Sequence, residues 1–365
     1  MSDSTTATTE SVSTSSDGEA LTLATRRRSG LSKYLLGRDA VIIYALLIVI
    51  VIASVSIPRF ATPTTVGFLL LDVIPILMLA MPMALIIISA EIDLSVASTV
   101  GLTSAVMGVL YAAGWDIWTV LGICIIVGFV AGAFNGFLIT VLGLPSLAVT
   151  IGTLALYRGL ALVVIGDNAV ANFPPGLTKF FTSKIGTTGI PTVMIGVLVI
   201  IVFFAVLLHF TPFGRGLYAL GYSTEAATFV GIRVGKAKFW LFVASGIVAS
   251  LVGIYWTLRY SSARSDNATG LELAVIAAAL LGGVSIFGGR GSIPGVIAGV
   301  LLIGTLNYGL RLAKIPDVAL NIVTGSLLVL SVVAPSVVSW AKERSRLRRL
   351  HKVIQGPTPS GATSA

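Results

Sequence analysis

Residues 40–340 are an almost unbroken series of apolar runs in which charge is rare, and this constrains the fold more than any motif. The 365-residue chain has 24 Lys or Arg and 15 Asp or Glu; ten of these charges lie in 1–39 and seven in 341–365, which leaves 22 for the 301 positions between. Soluble domains carry charge on about a quarter of their residues. A segment this poor in charge cannot cover a folded body with a hydrated surface, so it belongs in a bilayer. The net charge of +9 sits on the ends and on short loops, which excludes a basic face built to bind nucleic acid. The single cysteine, Cys124, lies inside an apolar run, which excludes a disulfide scaffold.

A helix needs about 20 apolar residues to cross the hydrocarbon core. Divided at charges, Pro and Gly, the segment gives runs near 40–57, 66–90, 95–113, 118–142, 147–165, 190–209, 239–258, 271–285, 293–310 and 318–340. The pattern predicts an all-α integral membrane protein of about ten transmembrane helices. The 271–285 run is short enough to be a broken or tilted helix. With the N-terminus inside, 16 basic residues fall on inner segments and eight on outer loops or in spans, so both termini are expected to be cytoplasmic. Trp240 and Trp256 lie roughly 24 Å apart along one helix, a separation that suits the two aromatic belts. Residues 2–20 contain eleven Ser or Thr and no apolar core of a secretory signal. The expected organisation is a disordered cytoplasmic Ser/Thr-rich tail with a basic juxtamembrane stretch at 1–39, a membrane domain at 40–340 and a basic cytoplasmic tail at 341–365. The longest inner loop is 211–238.

Several chemistries are missing. The nearest approach to a Walker A loop, Gly231-Ile-Arg-Val-Gly235-Lys236-Ala237, is one residue short and has Ala where a Mg²⁺-binding hydroxyl is needed. Gly289-Arg-Gly291-Ser-Ile-Pro-Gly295 misses the dinucleotide spacing by one residue. His209 and His351 stand apart from any His or Cys cluster, and neither is placed to serve as the base of an intramembrane serine hydrolase. The chain is expected to hold no cofactor of its own and to catalyse no bond-making.

Within the inner loop, Ser223-Thr-Glu225-Ala226-Ala227-Thr-Phe-Val-Gly231 reads as a short helix. Ser223 or Thr224 can cap it, Glu225 suits the positive dipole end, and Gly231 can take the left-handed stop. Its two alanines offer a face for another protein's backbone, or the helix merely ties two spans together. Asp72, Glu91 and Asp93 lie in or beside spans, where an ionisable group is costly enough to suggest function. Asp93 or Ser95 either caps the third span or belongs to a pathway. Arg158, deep in the fifth span, is expected to pair with a carboxylate or with backbone carbonyls, or else to contact substrate. Gly282, Gly283, Gly288 and Gly289 form an inner turn or hinge between close helices. Gly128, Gly132 and Gly136 repeat on one helical face and predict close packing on a neighbour. Arg259, Arg264 and Asp266 border the outer end of the seventh span, as docking charges or as solvated ones.

The stretch Thr211-Pro-Phe-Gly214-Arg215-Gly-Leu-Tyr-Ala219-Leu-Gly221, followed by Glu225-Ala226-Ala227 and Gly231-Ile232, resembles the cytoplasmic loop of sugar ABC importer permeases, the family that includes the ribose, xylose, rhamnose and autoinducer-2 membrane subunits. The likeness continues through Ser262-Ala263-Arg264, Gly270-Leu-Glu272-Leu and Leu281-Gly282-Gly283 to Gly295. In the first half it includes Ile92-Asp93-Leu94-Ser95-Val96, Leu144-Pro145-Ser146 and Arg158-Gly159, so it covers about residues 40–335. The family usually has two glycines before Ile-Asp-Leu-Ser and one after Val, where this chain has Ala90, Glu91 and Ala97.

The resemblance implies a permease subunit in a bacterial cell membrane, working as a dimer with a second copy or a sister permease. It implies an ABC ATPase subunit that binds ATP and Mg, with Glu225, Ala226, Ala227 and Gly231 as the coupling helix. It also implies an extracellular sugar-binding protein, docking on the side of Arg259, Arg264 and Asp266. The stretch from Ser262 to Leu273 resembles the rhamnose and autoinducer-2 branch first, with ribose or xylose next. A different class of function, an ion-coupled secondary transporter, would relay protons through Asp72, Glu91, Asp93 and Arg158.

Overall fold

The computed structural model describes residues 38–316, 318–320 and 322–333, with Val337 and Arg344. The expected N-terminal tail and nearly all of the C-terminal tail lie outside the described residues. The helices are α1 (Arg38–Ser56), α2 (Pro63–Ile88), α3 (Val96–Ala112), α4 (Ile117–Thr140), α5 (Ser146–Ile165), α6 (Pro175–Thr182), α7 (Met194–Phe210), α8 (Pro212–Tyr222), α9 (Thr224–Phe229), α10 (Val234–Tyr260), α11 (Leu271–Leu281), α12 (Ile293–Leu312) and α13 (Val318–Val333).

Within the described residues each of the apolar runs overlaps one of these helices. Five of them, α2, α4, α5, α10 and α12, are long and apolar enough to cross a membrane, and α7 with α8 makes a sixth if that bent pair is one span. The shorter apolar helices α1, α3, α11 and α13 fall below that measure. The 11 residues of α11 extend only about 16 Å, which agrees with its reading as a broken helix. The sequence pattern gave no sign of one small departure from the all-α description. Val170–Ala171 and Ser262–Ala263 form a two-residue antiparallel ladder, β1 and β2, that staples two loops at one end of the bundle.

α2 is the central helix. Its most apolar window is 94% buried, against 28% in α4 and 33% in α5. A helix apolar all round finds favourable neighbours on every face, and α2 packs on α7, α10, α11 and α12. α10 lies against α2, α3 and α4. The glycine stripe on α4 meets it directly: a Cβ on Gly128 or Gly132 would collide with the carbonyl oxygens of Gly246 and Phe242. The stripe is therefore an intrachain contact in which removal of side chains lets two backbones approach. Apolar side chains such as Val55, Val163, Val199 and Phe203 point outward from α1, α5 and α7, as a lipid-facing surface requires.

Candidate functional site

The first cluster forms where α2 gives way to α3. Ala90 stops α2 in the left-handed conformation, at φ 61°, and the chain then runs without helix to Ser95. The family's glycine at this position thus has a conformational reason, since alanine bears a steric cost there that glycine avoids. Glu91 lies on this non-helical stretch rather than on a helical face beside Asp93, and it forms an ion pair with Lys238 at the start of α10.

Asp93 is 2% exposed, and both its oxygens are occupied. Oδ1 accepts the Ser95 amide at 3.0 Å and the Ser95 hydroxyl at 2.6 Å; Oδ2 accepts the Ser245 hydroxyl at 2.7 Å. Asn135 Nδ2 donates to Ser95 Oγ at 2.8 Å, and Tyr157 donates its hydroxyl to the Ala131 carbonyl at 2.9 Å. Ser95 stands at the N-cap position of α3, but its hydroxyl turns to Asp93 instead of capping, so Asp93 organises the turn. The backbone of Ile92 is clamped to α5: its amide donates to Ser146 Oγ at 3.2 Å, and its carbonyl accepts from Thr150 Oγ1 at 3.2 Å.

The second cluster surrounds Arg158. Its guanidinium donates to the carbonyls of Ser265 at 2.6 Å, Asn267 at 2.9 Å and Ala97 at 3.2 Å, so its partners are backbone carbonyls and not a carboxylate. It holds the 261–270 segment against α3. Asn267 also donates to Ser104 Oγ at 2.8 Å. Arg259 was expected to border the outer end of the seventh span as a docking or solvated charge. It is turned inward, bonded to Asp72 and to the Leu71 carbonyl, and stacked on Tyr260, because an unpaired cation beside these apolar helices would be costly. Arg264 and Asp266 are 49% and 61% exposed and meet in a two-point pair of 2.7 and 2.9 Å. The Arg264 guanidinium holds the Asp266 carboxyl below its ordinary value.

The third cluster lies at the opposite end from β1 and β2. Ser223 caps α9 by accepting the Ala226 amide at 3.1 Å, and Gly231 takes the left-handed stop at φ 83°. Glu225 and Ala226 are exposed, but Ala227 is buried, so the two alanines do not share one outer face. Phe229 and Val230 are the large apolar groups presented outward, at 92% and 74% exposure. Gly282, Gly283, Gly288 and Gly289 belong to the turn between α11 and α12. Gly288 and Gly289 have φ of 79° and 71°, and the Gly289 amide donates to the Ile88 carbonyl at 2.8 Å. A Cβ on Gly221 of α8 would overlap both that carbonyl and that amide. Tyr218 donates to the Gly291 carbonyl at 2.8 Å, and Arg290 Nε donates to the Tyr222 hydroxyl at 2.9 Å. α8, the end of α2 and the glycine turn therefore meet as three backbones.

Sequence reading alone passed over Ser245, Asn135, Tyr157, Lys238, Tyr218 and Gly221 as site residues. Asn135 carried a usable signal, as an amide inside an apolar run. Among the described residues no hydrogen bond joins Asp72, Glu91, Asp93 and Arg158 to one another; each is occupied by its own local partners.

Residues 65–332 match the family described as branched-chain amino acid transport system / permease component. Among curated proteins, the chain is 33% identical over 306 residues to the autoinducer 2 import system permease protein LsrD of Klebsiella pneumoniae, a match that covers 81% of this chain and 92% of that one. The LsrD proteins of Photorhabdus laumondii and Salmonella paratyphi A are 31% and 33% identical, each match covering 80% of this chain and 89% and 90% of theirs. No solved structure gives a significant match. With a family match from α2 to α13 and relatives aligned over nearly their full length, the chain belongs to this permease family, that of the sugar ABC importers which its loop motifs resemble.

Proposed function

We propose that the chain is the membrane-spanning subunit of an ATP-driven importer for an autoinducer-2- or rhamnose-like sugar, with ribose or xylose next, delivered by an extracellular binding protein. It crosses the bacterial inner membrane ten times with both termini cytoplasmic, and α3 and α11 are short because non-helical backbone completes their passage inside the protein. It pairs with a second copy or a sister permease above two ATPase subunits, which hold the ATP and Mg. The alternation of access is a population shift driven by the partner's nucleotide cycle.

The observation that carries this reading is the meeting of α8 with α2 and the glycine turn. α9 exposes Glu225, Ala226 and Phe229 to a partner, and α8, immediately before it, touches backbone on two other elements. A push on α9 thus has a short route into the bundle. The proton-relay alternative would need linked carboxylates, and the separate pairing of Asp72, Glu91 and Asp93 favours the importer.

The test is purification of the tagged chain from native membranes in mild detergent, beside a Glu225→Lys variant, with ATP-dependent uptake measured for both. An ATPase should co-purify with the unaltered chain and be lost, together with uptake, in the variant. A preparation free of ATPase that still drives uptake from a proton gradient would overturn the proposal.

A further inference from the structure

α7 is an apolar helix of 17 residues, and α8 leaves its end at an angle of 69°. A helix that turns so sharply after an apolar run lies across the end of the bundle, where hydrocarbon gives way to water. Between α8 and the first turns of α10 lies a groove of about 440 Å³, lined by Phe213, Leu217, Ile232, Arg233, Lys236 and Trp240 among others. Leu217 is buried and forms its floor; Arg233, Lys236 and Trp240 are exposed and stand on its open side. Neither cation has an ion-pair partner among the described residues.

We propose that this groove binds one anionic phospholipid, with its phosphate between Arg233 and Lys236 and the top of an acyl chain on Phe213, Ile232 and Trp240. Three features select this occupant. Two cations beside one another at a membrane boundary attract an anionic headgroup more than a zwitterionic one. An indole on the same rim has the amphipathic character of the interface belt. The apolar walls would remain uncovered by free phosphate but are covered by the chain of a lipid. A protein seated on α9 would meet Glu225, Ala226 and Phe229, none of which lines the groove; of the residues assigned to the coupling helix only Gly231, its stop, stands at the groove's edge. The site requires only that the chain sit in a bilayer, so its failure and the failure of the transport reading are distinguishable.

The experiment is native mass spectrometry of the full chain in detergent, titrated with phosphatidylglycerol, with phosphatidylcholine of the same acyl chains, and with glycerol phosphate. Arg233→Gln/Lys236→Gln is compared with Arg215→Gln/Lys179→Gln, which has the same net charge and leaves the groove intact. The unaltered chain should retain phosphatidylglycerol in preference to phosphatidylcholine, and the groove variant should lose roughly fivefold in affinity per cation removed. The control variant should bind as the unaltered chain does. Equal retention of the two lipids, an equal loss in the control, or binding of glycerol phosphate as strong as that of the lipid would each overturn the proposal. Loss of a co-purifying ATPase from the groove variant, with lipid retention unchanged, would assign the cations to the protein partner and overturn it as well.

Discussion

Two of the non-helical stretches that join helices, 89–95 and 261–270, are held by opposite charges. At 89–95 the carboxylate of Asp93 receives the amide and hydroxyl of Ser95 from the same stretch and the hydroxyl of Ser245 from α10. At 261–270 the chain offers carbonyls, and a guanidinium, Arg158, donates to two of them, Ser265 and Asn267, and to the Ala97 carbonyl of α3. Backbone polar groups away from water must be paired, and each charge meets the half of the peptide unit that its sign allows. α5 anchors both: Ser146 and Thr150 grip Ile92, and Arg158 grips Ser265 and Asn267. The two differ in enclosure. Asp93 is closed off on every side, whereas the 261–270 segment keeps Arg264 and Asp266 in the open. The first stretch is a fixed pivot; the second has one side free to meet another molecule.

The strongest test of this contrast is Asp93→Ala. It leaves three buried donors without an acceptor, so thermal unfolding in detergent should show a loss of about 3 kcal/mol or more. Asp93→Asn keeps the shape and one acceptor and should recover most of that loss; equal damage from both would mean that charge, not pairing, is what the pivot needs. Arg158→Ala should cost about 1–3 kcal/mol and should raise amide exchange in 261–270 while leaving 89–95 protected. Arg158→Lys should fall between, because one ammonium cannot fan across three carbonyls. If exchange rose in both stretches together, they would form one unit and the comparison would fail. Ala90→Gly should stabilise by up to about 1 kcal/mol, since a left-handed residue loses its Cβ conflict. The smallest effect is at the open rim. Asp266 has a lowered carboxyl value, so its pairing contributes above the ordinary 3.8 and is lost as pH falls through the lowered value. Protection of 261–270 should decline over that acid range in the unaltered chain and stay flat across it in Asp266→Asn.

The all-helical character, the Ser223 cap, the Gly231 stop and the glycine stripe of α4 were legible because each depends on residues within a few turns of one another. The Asp93 pivot was not. The run from 66 to 113 is apolar almost throughout, and nothing in it says that Ala90 turns left-handed or that Asn135 and Ser245 approach from distant helices. The carbonyl partners of Arg158 were equally hidden, since any residue type carries a carbonyl and only the fold chooses which are near. Ala227 failed as an exposed residue for a related reason: on a helix of six residues, the neighbouring α8 and α10 decide which face is inner.

The contact at Gly221 has a mechanical consequence. Where side chains separate two helices, a small rotation of one is absorbed as the rotamers between them yield. At Gly221, α8 rests on the Ile88 carbonyl and the Gly289 amide with no side chain in between. Such a joint has no slack: the first degree of tilt in α8 already displaces the foot of the central helix and the turn that leads into α12, and the joint behaves as a gear without backlash.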